Sequence, residues 1–301
     1  MPQQIYVLNT VTPLFLYGAD QKNPEIRAAS IRGQFHYWFR AIEGARTDNL
    51  KEISASESAL FGSTAGGSSV SIRVSTDKDL KTDTYPMLPH KKDKREQSWQ
   101  KAASPGQKLR LTIATRPGME KVPPAVTKTV LIWLLLGGIG KRSRRMFGAL
   151  EWPKLISQDN DSAGPAAEIK QYLEKWVRYA DLPHVPAFPT LHPSYSRVVV
   201  GTRGSYEWEA LMKELFGLLR NDRYRPKERT FGYATATGDR RDRRASPLIA
   251  QVRRIGDQYY PVLTAIRSTP DKNIKWEVLD QFMDDAQALW KGETVWGGRL
   301  A

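Results

Sequence analysis

The chain has 301 residues, with 46 Lys and Arg against 32 Asp and Glu, a net charge of +14; that balance suits a polyanionic partner, nucleic acid or an anionic surface. It has no cysteine, which excludes disulfides, thiolate-bound zinc and a thiol nucleophile. The longest purely apolar run, Val130 to Leu136, falls far short of the about 20 residues of a membrane-spanning helix, and the start has no basic region followed by an apolar stretch, so a cytoplasmic protein without a membrane partner is expected.

Ile5 to Leu16 reads as a strand rich in β-branched and aromatic residues, ending at Tyr17-Gly18. Ser30 is placed to cap a helix. In that helix Ile31, Phe35, Trp38, Phe39 and Ile42 form one apolar stripe, with Arg32, His36 and Arg40 at i, i+4 and i+8 on another face. Leu50 to Phe61 is a second helix, stopped at Gly62. Val70, Ile72 and Val74 alternate with polar residues as a half-buried strand does, and Leu109, Leu111 and Ile113 repeat the pattern. Pro123-Pro124 opens a helix through Leu136; it is apolar around most of its last two turns, so it is expected to be buried. Ala149 to Ile156 is a candidate closing strand. The order β-α-β-β-α-β, with one extra helix early, is the ferredoxin-like arrangement.

The rest of the chain repeats that order imperfectly. A helical linker around Glu168 to Ala180 and a Pro-rich loop lead to a strand at Arg197 to Gly201 and an amphipathic helix at Tyr206 to Leu219. Leu248 to Ile255 and Tyr259 to Ile266 form a hairpin turning at Gly256-Asp257, and Trp276 to Trp290 is a helix. Only Thr294 to Leu300 remains for a last strand. The expected fold is therefore α+β: two tandem ferredoxin-like (RRM-like) domains, residues 1–158 and a degenerate second copy, 159–301.

Three windows carry the basic excess: a loop from Pro86 to Arg110, the cluster Lys141, Arg142, Arg144 and Arg145, and the stretch from Arg220 to Arg254. Their surplus together exceeds that of the whole chain, so the charge is gathered in patches. The sharpest is Gly137-Gly138-Ile139-Gly140-Lys141-Arg142-Ser143-Arg144-Arg145-Met146-Phe147-Gly148. Glycines let a phosphate approach backbone N–H groups, the cations supply charge, and Ser143 can donate a hydroxyl hydrogen bond. The competing account is a glycine helix cap followed by a solvated basic loop. It is not a Walker loop, since it lacks that spacing and follows a helix. Arg32, His36 and Arg40 are either a second phosphate contact or a solvated helix face. His36, His90, His184 and His192 show no metal-ligand spacing, and Asp284-Asp285 reads as surface. No catalytic residue, metal or cofactor is expected.

On four stretches the chain resembles the RAMP superfamily of CRISPR proteins: Thr12 to Asp20; Glu25 to Gly33, continuing through Trp38-Phe39-Arg40; the glycine-rich loop; and, more weakly, Arg244-Ala245-Ser246-Pro247-Leu248. Within that family it is similar to the first RAMP subunit of the type III-B (Cmr) effector complex. The resemblance implies two ferredoxin-like domains and a place in a helical complex built along a guide RNA, near the guide's 3′ portion. Guide RNA and target RNA would be its ligands, the backbone and sixth subunits its neighbours, and cleavage the work of other subunits. It implies RNA contacts at Gly137, Gly138, Gly140, Lys141, Arg142, Ser143, Arg144 and Arg145, with Arg27, Arg32, His36 and Arg40 as further candidates. Two positions depart from the family pattern: Met146 stands where the loop usually has another glycine, and His36 where an arginine is expected. Two other functions compete: a metal-independent endoribonuclease that processes guide precursors, with His36 as base, and a general RRM-like RNA-binding protein. The second would display aromatics on its middle strands, which Val70 to Val74 and Leu109 to Ile113 lack.

Overall fold

The structure, a computed structural model, describes residues 1–64, 66–76, 78–89, 91, 93–157, 164–232, 244–268 and 274–301. The first half runs β1 (Gln3–Thr10), α1 (Ala28–Glu43), α2 (Leu50–Phe61), β2 (Val70–Thr76), β3 (Thr82–Pro86), β4 (Trp99–Ala103), β5 (Lys108–Thr115), α3 (Pro124–Leu136) and β6 (Leu150–Glu151). The second runs α4 (Gly164–Trp176), β7 (Ser196–Val200), α5 (Trp208–Leu219), β8 (Leu248–Ile255), β9 (Gln258–Ile266), α6 (Trp276–Leu289) and β10 (Glu293–Gly297). Two antiparallel sheets result, in the orders β2-β5-β1-β6 and β10-β7-β9-β8, and β3 pairs with β4 as a separate hairpin. The fold is α+β.

Alternation decides which face each strand buries. Tyr6, Leu8 and Thr10 of β1 point into the core while Ile5 and Val7 remain exposed, and Leu109, Leu111 and Ile113 of β5 continue the buried face. The apolar stripe of α1 packs onto it through Ile31, Phe35, Trp38, Phe39 and Ile42. α3 is buried along its last two turns, as its uninterrupted apolar run requires.

Several boundaries differ from the expectation. β1 stops at Thr10, because Pro13 cannot donate to a ladder; residues 11–17 instead make single bridges, Leu14 to Ala103 and Tyr17 to Pro24. Arg27, not Ser30, is the N-cap of α1, and its side chain makes no capping bond. The window from Pro86 to Arg110 is not a plain loop, since β4 lies within it. β6 spans two residues, with Pro153 just beyond it. β10, the strand left doubtful by the short C-terminal remainder, forms and pairs with β7.

The core does not divide cleanly by sequence. Phe15, Tyr17, Met146 and Phe147 of the first half pack among Trp208, Leu211, Leu215 and Phe282 of the second. The expected boundary between residues 158 and 159 lies outside the described residues. Among the described residues no helix is long and apolar enough to cross a membrane.

Candidate nucleic-acid interface

The glycine-rich loop is strung between the two sheets. The Gly137 N–H donates to the Trp133 carbonyl at 2.7 Å and closes α3. Lys141 N–H then donates to the Phe15 carbonyl (2.8 Å), Gly148 N–H to that of Pro13 (3.0 Å), Ile139 N–H to that of Gly148 (2.9 Å) and Met146 N–H to that of Ala250 on β8 (2.9 Å). From β8 the Gln251 side-chain amide donates to the Ser143 carbonyl. Arg253, only 2% exposed, donates from Nε to the Leu135 carbonyl (2.7 Å) and from Nη2 to that of Gly137 (2.6 Å). Burial pushes the Arg253 guanidinium down to about 9, with Glu151 opposing. This arginine, counted in the sequence as part of a basic surface window, is an internal strut.

The glycines are demanded by protein atoms. A Cβ on Gly138 would meet the Gln251 side chain, one on Gly140 the Phe15 carbonyl, and one on Gly148 the Ile139 carbonyl. Gly140 and Gly148 also have φ of +88° and +65°, where L side chains are strained. Met146 holds φ +65° with a fully buried side chain, so the backbone keeps the left-handed turn at the position where the family pattern has glycine.

The four cations of the loop differ in role. Lys141 is exposed, its Nζ 4.5 Å over the Tyr17 ring. Arg142, at φ +62°, lies 5.6 Å over the Phe216 ring; its buried Nε has no hydrogen-bond partner among the described residues, and burial lowers its pKa. Arg144 lies 5.2 Å over Tyr37 and donates to the Ser246 carbonyl. Arg145 donates to the Phe231 carbonyl at 2.7 Å and weakly to that of Leu248. Its pKa falls to about 9, first through burial and then through Arg142 and Arg144. Arg145 fastens the loop to the second half, while Lys141, Arg142 and Arg144 concentrate positive charge beside it.

On α1, Arg27 is exposed at the N-cap. Arg32 donates to the Phe61 carbonyl (3.0 Å). Glu57 of α2, 6% exposed, accepts from Arg40 Nε at 2.7 and 2.9 Å and contacts His36 Nδ1. This helix face is therefore anchored to α2 and is not simply solvated, although about half of the Arg40 side chain stays open (54%). Glu57 was invisible as a partner because it reaches His36 only through helix packing. Among the described residues no group of three or more His, Asp or Glu could hold a metal. His192 packs within its loop, between the Ala180 carbonyl and the Ser194 N–H. Asp284 pairs with Arg197 and Arg299, and Asp285 with Arg223. His90 lies outside the described residues.

The RAMP superfamily model matches residues 7–151. Those residues belong to the RAMP superfamily. The chain is similar to the CRISPR system Cmr subunit Cmr1-2 of Pyrococcus furiosus, 36% identical over 86 residues, 28% of this chain and about half (46%) of that subunit. It is also similar to Cmr1-1 of the same organism, 28% identical over 91% of this chain and 92% of that subunit. In fold it is similar to Cmr1 from Pyrococcus furiosus in its apo form, TM-score 0.69 at 24% identity, covering 99% of this chain and 100% of that one. A chain of the type III-B Cmr-beta complex bound to cognate target RNA gives TM-score 0.65 at 12% identity, over 94% of this chain and 98% of that one. The RAMP segment holds α1, α2 and the glycine-rich loop. Ala250, Gln251 and Arg253, which brace that loop, come from beyond it.

Proposed function

We propose that the chain is a non-catalytic RNA-binding subunit of a type III CRISPR effector complex. It contacts guide RNA and its target duplex near the guide's 3′ end, beside the backbone and sixth subunits of a Cmr complex. Lys141, Arg142 and Arg144 on a braced loop carry this reading, because cations held by a rigid scaffold position a phosphate backbone without selecting bases. The similarity to Cmr1 subunits across most of the chain supports the place in the complex. In this reading the two tandem ferredoxin-like domains divide at 158/159; their tandem arrangement is supported by the strand orders, since, leaving β3 and β4 aside, each sheet sets its strands fourth, first, third, second. His36 is a weak candidate base, since Glu57, which would orient it, is shared with Arg40.

Binding of single-stranded RNA should therefore be electrostatic and indifferent to sequence. Log affinity falls against log salt with a slope of about −0.7 per phosphate neutralised. Replacing Lys141 and Arg142 by Ala should weaken binding alike across sequences and flatten the slope by roughly one to one and a half units. An unchanged affinity and slope in the folded variant would contradict the loop's role.

A further inference from the structure

Beside the loop a cleft of about 340 Å³ opens between α1 and the second sheet. Tyr37 of α1, Arg144, Ser246 and Pro247 ahead of β8, Ile266 at the end of β9, and Ser268 line it. Arg144 lies over the Tyr37 ring and donates to the Ser246 carbonyl, which fixes both groups at the wall. The volume falls in the range of small-ligand sites. None of the described lining residues is acidic, so they favour an anionic ligand over a cationic one. Proline and isoleucine offer flat apolar surface, while a phenol ring and a guanidinium plane are the groups on which unstacked bases settle.

We propose that this cleft holds one nucleotide splayed out of the bound RNA. Its base lies against Tyr37, Pro247 and Ile266, and its phosphate beside Arg144. The proposal rests on the RNA-binding role given above and adds a base-holding site to it. Stacking is indifferent to base identity, so the site accepts any base.

The test is single-stranded RNA binding by the full chain over a range of salt. Tyr37→Leu keeps bulk but removes the ring, and Ser268→Trp fills the cleft. Loss of one stacked base, worth about 1–3 kcal/mol, corresponds to about five- to a hundredfold weaker binding. For Tyr37→Leu the salt slope should stay unchanged, because no phosphate contact is removed. On the parent protein, an RNA abasic at every position should bind at least that much more weakly than one of the same length with its bases. Equal binding of the abasic RNA, or folded variants that bind like the parent while the Lys141 and Arg142 substitutions weaken binding, would overturn the cleft and leave the loop standing. If the loop substitutions also change nothing, the RNA-binding role fails and the cleft proposal with it.

Discussion

Met146 holds two opposed contributions in one residue. A non-glycine residue in the left-handed region costs about 1–2 kcal/mol, whereas fully burying a Met side chain contributes about 1.5–3 kcal/mol. The side chain is completely buried among Phe15, Phe147 and the α5 residues, so burial outweighs strain. Met146→Ala loses the packing and keeps the strain, and should cost about 2–4 kcal/mol. Met146→Gly loses slightly more packing but relieves the strain, so it should be more stable than the Ala variant by about 1 kcal/mol. Denaturant melts should rank the parent first, then Gly, then Ala. Ala above Gly would show that the turn at φ +65° carries no strain.

At the scale of elements, α3, the loop after it and β8 form one unit, and Arg253 is its main tie. Arg253→Met would preserve much of the volume but leave the Leu135 and Gly137 carbonyls without their donor. Removing one side of such a buried charged contact costs about 3 kcal/mol, read as a lowered melting temperature; a melting temperature equal to the parent's would show that water or another donor replaces it. The sequence made the loop visible and misled about its reason. Glycine spacing reports that a Cβ is excluded, but not whether ligand or protein fills the space; here Gln251, Phe15 and Ile139 fill it. Arg253 and Gln251 were illegible for a related cause. β8 is covered on both faces, so its pattern lacks the alternation that separates inward from outward residues. Helices were the most legible elements, since the stripe of α1 and the apolar run of α3 reflect local periodicity. β3, β4 and β10 were not, because short strands depend on distant partners for their pairing.

Across the whole molecule, the two sheets share a core, with Phe15, Met146 and Phe147 reaching into the second half. The basic loop lies along that joint, fastened on one side to Phe15 and Pro13 and on the other to Ala250 and Phe231. An RNA held there would contact both halves at once. Clustered charge points to a polyanionic partner, and only the resemblance points to a particular complex. The most direct test is to recover the native protein from cells through a tag on this chain and sequence the RNA that comes with it. Guides carrying CRISPR repeat sequence should dominate, protected near their 3′ portion; a population of messenger RNA without repeat-derived guides would contradict the account.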